Sequence, residues 1–226
     1  MFLTPKKQGK VYKHARSNLI HFLGTDAETH RVCLFWAYFG LLALARAGLR
    51  GVLQAGSCSW IMVPEEEVAT ADPNSFSMVW DPDDPLSKTA MSEGRLPEMH
   101  CWLATTGPKD DYRPADEWEI VDLAAGQIPK MAAEFDLEWR GKLPPQYFWC
   151  KQGQMEGCIY EPNREATLFA DGLLKQLVDQ GKLPHVSEIL QRERANKTGK
   201  TNSLQRGLSK RRAKALQKRN RRSRRS

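Results

Sequence analysis

Cys33, His100 and Asp122 are the residues of this chain whose types and order suit covalent catalysis. A cysteine attacks as its thiolate, a histidine takes up the thiol proton and later returns it, and a carboxylate fixes the histidine's tautomer and orientation. Cys33 stands near the start of an apolar stretch, VCLFWAYFGLLALARA (32–47). In the first turn of a helix a thiol sits at the positive end of the macrodipole, which favours the reactive thiolate. His100 lies in EMHCWLAT (98–105), where strand alternation puts His100 and Trp102 on one face and Cys101 on the other, in the core. Asp122 lies in EWEIVDL (117–123) and shares a face with Trp118 and Ile120. A carboxylate on an apolar strand needs a partner to offset its burial. Each residue also has a plainer role: Cys33 as a small core residue, His100 as a hydrogen-bonded core or strand-edge histidine, Asp122 as the cap of the turn that follows it.

The other cysteines offer less. The five-cysteine count is odd, and no CxxC or CxxH pair is present, so neither a disulfide scaffold nor a metal site is expected. Cys150 and Cys158 with a distant histidine would be the best zinc set, and their spacing is poor. Cys58, in AGSCSW, is a rival nucleophile that lacks helix-terminus activation. His30, Trp60, Trp102 and Gln127 are candidates for the wall of a substrate pocket, although strand tryptophans are more often core. No cofactor is implied.

The elements that must position these groups follow from periodicity. Apolar residues at Val11, Ala15, Leu19 and Phe22 predict a helix over 11–23, stopped by Gly24. Residues 32–47 are apolar nearly all round and predict a central buried helix, capped from Thr25 or, as favoured, from about Thr29. A strand pair or one long strand is expected over 51–63, and strands over 75–80, 98–105 and 117–123, with an edge strand at 146–150. The stretches 65–74 and 81–97 read as loops. Short helical patterns at 130–136, 163–180 and 183–195 complete a prediction of an α+β domain, with an antiparallel sheet against the central helix.

The pieces VCLFWA (32–37), MHCWLAT (99–105) and EIVDLAAGQIP (119–129) resemble the transglutaminase-like branch of the papain-like cysteine hydrolases. The order is Cys, His, Asp, with gaps of 67 and 22 residues, over roughly residues 29–130. The resemblance implies a papain-like fold and acyl-transfer chemistry on an amide or thioester: a peptidase, amidase or deamidase, with a peptide or amide as substrate. The Cys33 N–H is one oxyanion donor in that picture, and the second is unassigned.

Charge divides the chain of 226 residues. Its net charge is +7, yet residues 191–226 hold 15 Lys/Arg against one acid, which leaves residues 1–190 at −7. Domain limits of 1–195 and 196–226 follow, the second being a basic tail without the material for a core. Its end, KRRAKALQKRNRRSRRS, places Lys210, Arg211, Arg212, Lys214, Lys218, Arg219, Arg221, Arg222, Arg224 and Arg225 within 17 residues. Such a block attracts phosphates through counterion release, so non-specific nucleic-acid association is expected, without base stacking. An anionic membrane surface or an acidic protein would meet the same charge. No apolar run approaches a bilayer span and the N-terminus lacks an apolar signal core, so a cytoplasmic protein is expected. The alternative to an enzyme is a non-catalytic nucleic-acid-binding accessory protein on a degenerate papain-like scaffold.

Overall fold

The computed structural model describes residues 1–25, 32–108, 117–151, 153–185, 188 and 189. The expected helix 183–195, the basic tail and His30 therefore lie wholly or mostly outside the described residues. The chain divides into the units Met1–Leu177 and Val178–Ser226, and the elements that follow belong to the first apart from the end of α5. No described helix is long and apolar enough to cross a membrane.

Helix α1, Pro5–Leu23, starts earlier than the apolar spacing predicts, because Pro5 fits the first helical turn and Gln8 is buried on the same stripe as Val11, Tyr12, Ala15 and Leu19. Gly24 ends it in the left-handed conformation, its N–H bonded to the Ile20 carbonyl. The stripe packs on α2, Cys33–Arg46, where Tyr12 stacks on Trp36 with centroids 5.5 Å apart and Phe22 meets Phe35 edge-on at 5.4 Å. α2 is buried on several sides, as its composition demands. A Cβ on Gly40 would come within 2.6 Å of Leu103 and 2.8 Å of Leu123, so this helix lies directly against the sheet.

The sheet is antiparallel throughout. β1, Leu49–Ile61, is a single long strand. Its first part pairs with β3, His100–Pro108, and its second with β2, Ser75–Met78, and β6, Cys158–Pro162, so that Cys58 faces both Met78 and Tyr160. β3 continues to β4, Glu119–Asp122, and β4 to β5, Phe148–Lys151. The order is β2-β1-β3-β4-β5 with β6 on β1. Phe148 of β5 nonetheless stacks on Tyr160 of β6, at 5.8 Å and 11°, so the sheet curls to bring its far strands together. The concave interior holds Cys58, Trp60, Phe76, Met78, Trp102, Ile120, Ile128 and Tyr160. This is the α+β, antiparallel architecture expected.

Three local expectations are corrected. The stretch 81–97 is not all loop: α3, Pro85–Ser92, forms there because Asp84 caps it, accepting from the Ser87 N–H at 2.8 Å, with Pro85 at the first helical position. β6 was not expected at all. The threonine cap of α2 is replaced by Val32, which offers no side-chain acceptor. The remaining helices are α4, Ile128–Glu134, and α5, Arg164–Asp179. Glu119 is a buried carboxylate outside the predicted site, satisfied by Trp149 Nε1 at 2.6 Å and the Phe2 N–H at 2.7 Å.

Candidate active site

Cys33 is the first residue of α2. The Val32 carbonyl is the first acceptor of the helix, taken by the Phe35 and Trp36 N–H groups at 2.9 Å. The amides of Cys33 and Leu34 therefore precede the ladder and are not consumed by it.

His100 opens β3 and stands opposite Gly56 of β1. A side chain at 56 would collide with the Glu161 carbonyl and lie 2.9 Å from the Asn163 N–H, so glycine lets β6 close in behind the histidine. His100 Nε2 is 2.8 Å from Asp122 Oδ2, with both side chains buried. The Tyr160 hydroxyl donates to the same oxygen at 2.7 Å, and the Ala124 N–H donates to Oδ1 at 2.8 Å. Asp122 thus caps its turn and orients the histidine at once; the two roles weighed for it coexist.

The bond to Asp122 engages Nε2 and leaves Nδ1 outside that pair. Nδ1 is buried without a hydrogen-bond partner of regular geometry, while the thiol lies near enough for the two groups to shift each other's ionisation. Cys33 is held well below the ordinary thiol range, first by hydrogen bonding from Cys101. Burial opposes this, and the charge of the nearby His100 ring reinforces it. For His100 burial is the largest influence and disfavours the charge. The Asp122 carboxylate leads the opposing effects, joined by Cys58 and Cys33, and together they hold the imidazole well above its usual value. The shift of Cys33 is thus owed first to its neighbouring thiol and only then to His100, while that of His100 is owed first, among the effects that raise it, to Asp122.

Cys101 is in the core as alternation required, but its thiol is also a partner of Cys33, and this raises its own pKa well above the ordinary range. Strand alternation did not foresee that contact. Cys58 is buried and its thiol is pushed up to about 12, chiefly by burial, which disfavours it as a rival nucleophile. Cys150 and Cys158 rise to about 11 and about 12 for the same reason. No metal-ligating cluster exists among the described residues.

The pocket candidates separate. Trp60 lines an open cleft of about 730 Å3 together with Phe148, Val68, Leu143 and Glu156. Neither Cys33 nor His100 contributes to that cleft. Trp102 is core rather than wall: it stacks on His100 with centroids 6.1 Å apart and donates Nε1 to Gln54 Oε1 at 3.0 Å. Gln127 sits in a one-turn 3-10 segment, half-buried, and its Oε1 has no partner among the described residues. Tyr160 is the site residue that sequence reasoning missed. Its signal was the alternation in CIYEP (158–162), where Cys158 and Tyr160 point inward and Ile159 and Glu161 outward, a stretch too short to stand out.

No protein-family model and no curated protein matches this chain. One solved structure, described only as a genomics target, is similar over 83% of this chain and 76% of its own, at 12% identity and a TM-score of 0.44. A likeness of that size carries no argument about fold family or activity.

Proposed function

We propose that this protein is a cysteine-dependent acyl-transfer hydrolase of papain-like, transglutaminase-like type, with Cys33 as nucleophile, His100 as general base and acid, and Asp122 as the group that orients His100. The observation that carries this reading is the 2.8 Å bond from His100 Nε2 to Asp122 Oδ2, which supports an oriented imidazole whose second ring nitrogen is not engaged by the carboxylate, in a chain whose Cys33 begins a helix. In the reaction the Cys33 thiolate attacks the carbonyl carbon of an amide or thioester. The Cys33 and Leu34 amides receive the oxyanion, and His100 gives its proton to the leaving amine or thiol. Water then takes up the acyl group with His100 as base, restoring the thiol.

The basic tail supports association with nucleic acid as a second property of the chain. The non-catalytic alternative draws on one observation, that Cys33 is only 7% exposed and His100 is fully buried. Trapping an acyl-enzyme with an activated ester decides between the two. Peptide mapping of the full chain is expected to find the acyl group on Cys33 in the wild type and none in Cys33→Ala. An unacylated Cys33 in a folded wild type would leave the accessory role standing.

A further inference from the structure

Asp122 Oδ2 carries two hydrogen bonds, and only one of them belongs to the proposed triad. The other comes from Tyr160, whose hydroxyl lies 2.7 Å from the oxygen that His100 Nε2 approaches to 2.8 Å. The tyrosine is not there by accident of packing. Its ring is clamped by Phe148, stacked at 5.8 Å, and by Trp102 and Trp60, edge-on at 5.1 and 6.0 Å. A ring held on several sides delivers its hydroxyl to one point, and that point is the carboxylate.

From this geometry we propose that Tyr160 is a positioning residue for the His100–Asp122 pair, holding Oδ2 on Nε2 and drawing off part of the carboxylate charge that the imidazolium would otherwise feel. The inference rests on the cysteine-hydrolase reading of the site. It has a chemical purpose within that reading. A buried histidine facing an unshared carboxylate keeps its proton too tightly to return it to a leaving group, whereas general acid–base work needs a pKa near the working pH. A phenol donating to the same oxygen weakens that hold without adding a charge. Burial and the neighbouring Asp122 raise the phenol's own pKa well above the ordinary value, so it remains a donor. The titratable groups around the pair are Cys33 from α2, Cys58 from β1, Cys101 from β3, Asp122 from β4, and Tyr160 with Cys158 from β6.

The test is the titration of the His100 ring in the full chain labelled with 13C-histidine, where five histidines give a tractable spectrum and His100→Gln assigns the signal. Tyr160→Phe keeps the clamped ring and removes the hydroxyl. It is expected to move the His100 midpoint upward by about half a pH unit to one pH unit, the equivalent of one hydrogen bond. In the Asp122→Asn background the same substitution is expected to add no further shift, because its effect passes through the carboxylate. Incorporating 3-fluorotyrosine at 160, a stronger donor of the same shape, is expected to move the midpoint the opposite way. An unchanged midpoint in Tyr160→Phe, or an equal shift with and without Asp122, would overturn the proposal. Failure of the underlying reading looks different: Cys33→Ala would leave the His100 titration unaltered while the Tyr160 effect persisted.

Discussion

Removing the Asp122 side chain should be among the most destabilising single changes in the chain. The substitution Asp122→Ala strips the acceptor from His100 Nε2, the Tyr160 hydroxyl and the Ala124 N–H, bonded at 2.8, 2.7 and 2.8 Å. His100 and Tyr160 are both buried. An orphaned buried donor costs about 1–3 kcal/mol. Loss of one partner of a buried charged pair costs about 3–5 kcal/mol. His100 escapes part of that by shedding its proton, so the expected total is about 4 kcal/mol rather than the full sum. Against a typical domain stability of roughly 5–15 kcal/mol, that leaves a folded but fragile protein. Urea unfolding followed by the fluorescence of the seven tryptophans measures it directly. Asp122→Asn, which keeps one acceptor oxygen, should cost about half as much. A loss below about 1 kcal/mol for Asp122→Ala would refute the bonded, desolvated site described above.

The pH dependence has a definite sign. His100 holds its proton well above its ordinary value when folded, and an unfolded histidine releases it near about 6.5. Above that pH the folded state binds more protons, so the contribution of His100 is full below the unfolded value and is lost as pH rises through the folded one. In a Cys33→Ala background, the stability advantage of His100 over His100→Gln should therefore shrink between neutral and alkaline pH; an advantage that grows would contradict the role of Asp122. Gly56→Ala would drive a methyl group into the backbone of β6 and should cost about 3 kcal/mol in thermal or urea unfolding. An unchanged transition would mean that β6 does not close on the histidine. Deleting residues 196–226 should abolish binding to duplex DNA and its steep salt dependence, read by fluorescence anisotropy over a salt series. Binding that survives the deletion would assign it to the body instead.

The sequence carried the supports of the site better than its internal contacts. Val32 to Ala47 announced a buried helix through composition alone, but its start fell at Cys33, after Val32, and not at the threonine caps that the sequence offered at Thr25 or Thr29. Alternation in EMHCWLAT and EWEIVDL gave each of His100 and Asp122 an apolar face and hence a need for a partner, and the antiparallel pairing of the two strands brings them together. What escaped was whatever depended on strand order. Tyr160 reaches Asp122 only because the sheet curls β6 over β4, and no local pattern in CIYEP encodes that closure. The contact of Cys101 with Cys33 likewise crosses from strand to helix terminus, where alternation within one strand says nothing. The helix α3 was legible in principle: Asp84 followed by Pro85 is a helix start, and the surrounding prolines and aspartates disguised it as a turn.

The pH dependence of Cys33 alkylation tests the central claim most directly. With iodoacetamide and peptide mapping on the full chain, Cys33 is expected to react while Cys58 stays silent, with a midpoint well below the value of about 8.5 for a free thiol. His100→Gln is expected to return that midpoint toward the ordinary value. A Cys33 that reacts only as an ordinary thiol, or whose profile ignores the loss of His100, would contradict the activated thiolate on which the proposed chemistry stands.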